Sequence, residues 1–225
     1  MKSIFLSFLL FSFINLFSQN NKSSSNPDYN TSFTGNTSKN GMWIPGRVED
    51  KSIVGSQYLF NSWNGMYSIV NKIGEKFNLL NLNYNIHTKT LESKVSNDSV
   101  FQFDLDKIDY IIASKKKYKI LNNEMFLELL CNDKIDFYKS FKVIVQEATN
   151  NPLTQTELTP RRYVVKNEYK VFYNKVLVDI GLNKKSIFNL FADKKNLISK
   201  YVKENKLSYS NEEDVVKILN YISNN

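Results

Sequence analysis

The run Ile135-Asp136-Phe137-Tyr138-Lys139-Ser140-Phe141-Lys142-Val143-Ile144-Val145 decides the fold. Ile135, Phe137, Phe141, Val143 and Val145 fall on one side of an extended chain; Asp136, Tyr138, Ser140, Lys142 and Gln146 fall on the other. Successive strand residues point to opposite faces, so this period of two predicts a half-buried antiparallel strand. The alternation returns at Tyr163, Val165, Tyr169, Val171 and Tyr173, with Lys166, Glu168 and Lys170 between them. The connecting stretch from Thr149 to Arg162 holds Pro152 and Pro160, has no period, and reads as a long loop.

Upstream, shorter candidates follow the same period: Tyr67 to Val70, Lys76 to Leu80, Leu82 to Ile86, Leu91 to Val95, Val100 to Phe103 and Asp109 to Ala113. Met125 to Cys131 fits a helix turn nearly as well as a strand, and strand is preferred because a hairpin follows it. Asn71 to Gly74, Asn97-Asp98, Asn132-Asp133 and Asn174-Lys175 supply turn chemistry between the runs. The sum is roughly nine to eleven strands in sequential hairpins, an antiparallel meander curled into a roll or partial barrel.

After Leu182 the period lengthens. Ile187, Leu190, Phe191, Leu197, Ile198, Tyr201 and Val202 share a helical face, with Ser186 as the expected N-cap and a break near Ala192. Asp193 is a candidate cap for a second helix in this span, and Ser210 followed by Glu213 predicts a capping box for a last one. The expected class is therefore α+β, mainly β, ending in a helical hairpin whose apolar faces need the sheet as cover. The expected division is a leader at 1–18, a tether at 19–41, an antiparallel β domain at 42–183 and C-terminal helices at 184–225.

The leader rests on Lys2, an apolar run from Ile4 to Phe17, and Ser18 before Gln19 as a cleavage point. A spanning helix needs about 20 apolar residues, so removal on export is expected rather than anchoring. No cysteine stands directly after the leader, so a lipoprotein is not expected. Fourteen of the twenty-one residues from Asn20 to Asn40 are Asn, Ser or Thr, a composition too polar to offset its ordering entropy. The expected location is periplasmic or secreted, with no membrane span once the leader is gone.

Composition narrows the chemistry. Cys131 is the single cysteine and His87 the single histidine, which rules out an internal disulfide and leaves no zinc ligand set. Cys131 sits in an apolar run and reads as a buried, inert thiol. The net charge of +8 is carried almost wholly by dispersed lysines. The dense run Lys115, Lys116, Lys117 and Lys119 reads as a solvated turn, and no arginine-and-aromatic frame for nucleic acid is present. Asp104, Asp106 and Asp109 lack the glycine and spacing of a calcium loop, and read as outward carboxylates on a strand. Asp98-Ser99-Val100 matches an acceptor for bacterial O-glycosylation and equally a turn entering a strand. No cofactor motif or catalytic residue is found. The candidate binding residues are Trp63 and Tyr58, in Tyr58-Leu59-Phe60-Asn61-Ser62-Trp63-Asn64-Gly65, where Trp63 either stacks on a ligand or plugs the open end of the sheet.

Gly55 to Gly65, Leu82 to Ile86 with Leu91-Glu92, and Lys184 to Phe188 with Asp193-Lys194-Lys195 and Tyr201-Val202-Lys203 resemble a family of exported, uncharacterised proteins of Bacteroidota-type bacteria. The resemblance spans most of the folded region and implies export but no activity. The expected role is thus a non-enzymatic binding or structural accessory protein of the cell envelope, its partner an envelope protein or a small ligand. A carrier of an apolar or lipid ligand inside a β-barrel cavity is the alternative, followed by a hydrolase built from dispersed acids. An outer-membrane barrel fits least, because helices rather than strands end the chain.

Overall fold

The computed structural model describes residues 40–46, 50–96, 99–122 and 125–225. The leader, residues 19–39 of the tether, and the Asn97-Asp98 turn, with the acidic residue of the acceptor motif, lie outside the described residues. The alternating runs form β1 (Gly41–Pro45), β2 (Asn64–Asn71), β3 (Lys76–Asn81), β4 (Asn83–Asn85), β5 (Thr90–Ser96), β6 (Ser99–Phe103) and β7 (Ile108–Ala113). They continue as β8 (Lys116–Leu121), β9 (Met125–Asn132), β10 (Asp136–Gln146), β11 (Thr149–Asn150), β12 (Glu157–Thr159), β13 (Arg162–Tyr173) and β14 (Val176–Ile180). Three helices follow, α1 (Lys184–Leu190), α2 (Lys195–Glu204) and α3 (Glu212–Asn224).

The named strands pair antiparallel into a four-stranded sheet, β1-β6-β5-β4, and an eight-stranded sheet, β14-β13-β10-β9-β8-β7-β2-β3, with β11-β12 as a separate small hairpin. The fold is α+β and mainly β, an open roll rather than a closed barrel, with the helical pair α2–α3 at its C-terminal end.

Two apolar clusters form the core. Tyr67, Ile69, Leu79, Ile111, Tyr118 and Phe126 of the large sheet meet Tyr84, Leu91, Phe101 and Phe103 of the small one. Phe126 stacks on Tyr84 at 4.2 Å and on Tyr118 at 5.1 Å between centroids. Such pairs add roughly 0.5–1.5 kcal/mol each to the burial of their area. In the second cluster Phe137, Val171 and Ile180 meet Ile187, Phe191, Ile198, Val202, Val215, Ile218, Leu219 and Ile222 of the helices. Phe137 and Phe141 share a side of β10, yet Phe137 packs under the helices and Phe141 against the two-sheet cluster. One face of the large sheet therefore carries two covers, side by side.

Local details depart from the sequence reading. Lys116 to Leu121 is not a turn but β8, with Tyr118 and Ile120 buried. Only Ser114 and Lys115 turn, both at positive φ. The proline-bearing loop contains β11 and β12. Asn183 and Asn211, not Ser186 and Ser210, cap α1 and α3, each accepting from the backbone N–H three residues on. The break near Ala192 is a 3-10 turn, and Lys194 rather than Asp193 precedes α2. Asp104 caps a 3-10 turn at Leu105–Lys107 instead of lying outward on a strand. No helix among the described residues is long and apolar enough to cross a membrane.

Candidate functional site

The chain at 57–59 pairs alongside β4: Leu59 N–H donates to the Tyr84 carbonyl and Ile86 N–H to that of Gln57, both at 2.9 Å. Tyr58 then lies opposite Asn85, Asn85 opposite Thr90, and Asn83 opposite Glu92. Tyr84 and Leu91, of the other parity, point into the two-sheet core. Tyr58, Asn83, Asn85, Thr90 and Glu92 therefore share the small sheet's other face. That face is not wet. Glu92 is 0% exposed, and Asn83, Asn85 and Tyr58 are buried with it.

The loop that follows Tyr58 is tied down over these polar groups. Asn83 Oδ1 accepts from Phe60 N–H at 2.9 Å and its Nδ2 donates to the Phe60 carbonyl at 2.8 Å. The Trp63 carbonyl accepts from Leu82 N–H at 3.1 Å. Glu92 Oε2 accepts from the Tyr58 hydroxyl at 2.9 Å, while Oε1 accepts from Thr90, which also bonds Thr88. Asn85 Oδ1 accepts the N–H groups of His87 and Thr88 and so shapes the β4–β5 turn. Its Nδ2 is a buried donor without a partner among the described residues. Trp63 meets Tyr58 edge to face at 4.8 Å. Tyr58 and Trp63 thus come together at the edge and outer face of the small sheet. Beside Thr90 opens a recess of about 340 Å³, bounded by Met42, Lys89, Gln102, Asp104 and Asp106.

A second constellation lies where the two covers meet on the large sheet. Lys139, 7% exposed, sits 2.8 Å from Glu212 at the start of α3 and 3.8 Å from the buried Glu128. Lys116 reaches Glu128 at 2.8 Å, and the Tyr169 hydroxyl donates to Glu212 at 2.8 Å. Burial, reinforced by that bond to a carboxylate, pushes the Tyr169 hydroxyl up to about 12. Burying an ion is costly unless it is paired, and here each buried charge has a partner. Cys131 is half-buried, its thiol pushed up to about 11, chiefly by burial. His87 is exposed in its turn, and the two are not brought together.

The third feature is an arm. β9 pairs with β10 only as far as Ser140, opposite Leu127, whereas β13 pairs with β10 to Gln146. Val145 and Val165 are exposed on one side of this extension. Lys142 and Lys166 stand directly opposite each other on the other side, both exposed.

No family model, curated protein or solved structure matches the chain. Sequence reasoning picked out Tyr58 and Trp63 but not Glu92, Lys139 or Glu212. Glu92 occupies an alternating position that reads as solvent-facing, and Lys139 meets Glu212 from 73 residues away. Among the described residues no three of His, Cys, Asp and Glu are grouped to hold a metal ion.

Proposed function

We propose that the protein is an exported, non-enzymatic binding or accessory protein of the cell envelope that recognises its partner through its surface. The leader-like start and the resemblance to exported Bacteroidota-type proteins support the address. The carrying observation is how the buried ionisable groups are used. Glu92 is engaged by Tyr58 and Thr90 beneath a pinned loop, and Lys139 by Glu128 and Glu212 between the covers. Groups committed to holding elements together lack the access to substrate that general acid–base work needs. Transport of a lipid inside the roll has less support. The recess between Tyr84, Ile86, Phe126 and Phe141 holds about 90 Å³, small against the roughly 300–1,000 Å³ of ordinary ligand pockets.

The test has two arms. Fractionation with mass spectrometry of the N-terminus should find a chain starting at Gln19 outside the cytoplasm. The purified protein should leave chromogenic glycosides, esters and phosphate esters intact. Turnover that disappears in Glu92→Gln, with folding unchanged, would replace this reading by a hydrolase.

A further inference from the structure

We propose that the free edge of β10 from Lys142 to Gln146 binds an extended acidic segment of another protein, which adds to the large sheet as one more strand. This rests on the binding reading above and names its surface and its partner.

The backbone geometry comes first. On the far side of β13, Val54 N–H donates to the Arg161 carbonyl and Tyr163 N–H donates to that of Val54, both at 2.9 Å. Tyr163 therefore turns its main-chain groups away from β10. In an antiparallel ladder the residue directly opposite does the same in the reverse direction, and the pattern repeats every second residue. Val145 lies opposite Tyr163, so Val145 and Val143 present N–H and C=O groups to the side that β9 has left, while Phe141 still flanks Phe126 at the end of the β9 pairing. Among the described residues, neither the β9 pairing nor a turn or loop bond reaches Val143 or Val145 there. The open stretch from Lys142 to Gln146 spans about 17 Å at ~3.4 Å per residue, the length of an ordinary strand. Such a row is a template for strand addition.

The side chains specify the occupant. Lys142 and Lys166 face each other across the ladder, and Arg162 stands opposite Gln146 on the same face. Like charges directly opposite are unfavourable, and among the described residues neither lysine has an ion-pair partner. Glu168, opposite Ser140, is the closest acid along that face and bonds neither of them. On the opposite face Phe141 and Val143 are half-buried while Val145 and Val165 are exposed. A strand alternating acidic and aliphatic residues would neutralise one face and extend the apolar row on the other. A second copy of this chain fits poorly, since edge-to-edge pairing would bring two such lysine pairs together. The chain's own residues 19–39, with Lys22, Asp28 and Lys39, are net positive and fit no better.

The experiment uses the full chain and fluorescein-labelled eight-residue peptides. One alternates Val and Glu, one alternates Val and Lys, and one is the Val/Glu peptide with a central proline. Anisotropy should give the Val/Glu peptide at least tenfold tighter binding than either control, weakening as salt rises. Amide exchange at Val143 and Val145 should slow when it binds. Lys142→Glu/Lys166→Glu should lose tenfold or more and prefer the Val/Lys peptide. Lys142→Gln/Lys166→Gln, the milder surface change, should lose binding without that reversal, and both variants should melt like the parent. Binding without slowed exchange at the edge, or unchanged by the variants, overturns the proposal. So does no binding by any peptide, which leaves the lysines as guards against aggregation. Exchange protection without peptide overturns it too, pointing to a second copy if dimers are seen by light scattering. If deleting residues 1–39 releases that protection, the chain's own segment is the occupant. Hydrolase turnover would refute the broader functional reading while leaving the peptide result standing.

Discussion

Replacing Lys139 tests whether the two covers are locked by buried charge. Lys139 holds Glu212 at 2.8 Å and Glu128 at 3.8 Å from a side chain 9% exposed. Removing one partner of a buried pair costs about 3–5 kcal/mol because the other charge is stranded. Two features reduce that figure. Glu212 keeps the Tyr169 hydroxyl and is 29% exposed, and Glu128 keeps Lys116 at 2.8 Å. Lys139→Ala, which also loses the packed aliphatic stem, should therefore cost about 3 kcal/mol. For a chain of this size that is a fall in Tm of about 6–12 °C. Lys139→Met keeps the stem and should cost about 2 kcal/mol, while Lys139→Met/Glu128→Gln removes both charges and should return to within about 1 kcal/mol of the parent. Urea titrations at pH 7 followed by far-UV circular dichroism, with calorimetry, give the four values of the cycle. A loss below about 1 kcal/mol in both single variants, or a double variant worse than their sum, would refute the reasoning.

Other consequences can be checked on the same protein. Asn83→Ala leaves the Phe60 N–H and C=O without their partners and should cost about 2–3 kcal/mol. In a Trp43→Phe background it should also shift Trp63 emission to the red, since the loop is released. Tyr58→Phe removes the hydroxyl from the buried Glu92 and should cost roughly 1.5–3 kcal/mol by urea titration. Burial pushes Tyr84 up to about 12 from 10.0, so the fold favours its neutral form. That contribution is whole below pH 10 and is lost as pH climbs toward 12, roughly 2–3 kcal/mol at ~1.4 per pH unit. Stability measured from pH 9 to 12 should fall, and less steeply in Tyr84→Phe; an unchanged slope in that variant would assign the loss to other groups.

The strands that alternate apolar and polar residues without interruption were legible in the sequence, because burial on one face imposes that period. β8 was not. Its Lys116, Lys117 and Lys119 dominate the composition, while the informative residues are Tyr118 and Ile120 between and after them. Lys117 lies over the Tyr110 ring at 3.9 Å, so even its polar face is partly engaged. The caps were misplaced by one to three residues because Asn183 and Ser186, or Ser210 and Asn211, offer similar chemistry and only the entry angle of the chain selects one. For the site, local pattern supplies Tyr58 and Trp63 but cannot supply Glu92. What buries that carboxylate is a loop more than thirty residues upstream, closed by the two bonds of Asn83. Burial created by a distant segment leaves no periodicity at the residue it buries.

The same reasoning explains why the strand that decides the fold also carries its open surface. The apolar row of β10 has one period from Ile135 to Val145, and a period reports only which side a residue takes. What covers that side changes along the strand. Phe137 lies under the helices at 0% exposure, Phe141 and Val143 rest half-covered beside the small sheet, and Val145 stands at 36%. β9 departs at Ser140, where the cover thins. One uniform pattern thus runs from core into solvent, with its main-chain edge and its apolar row becoming free together. Val145, at the end of that row, is left exposed, and an exposed edge invites unwanted pairing. On the proposal above, the unneutralised lysines on the other face restrict that pairing to an acidic partner.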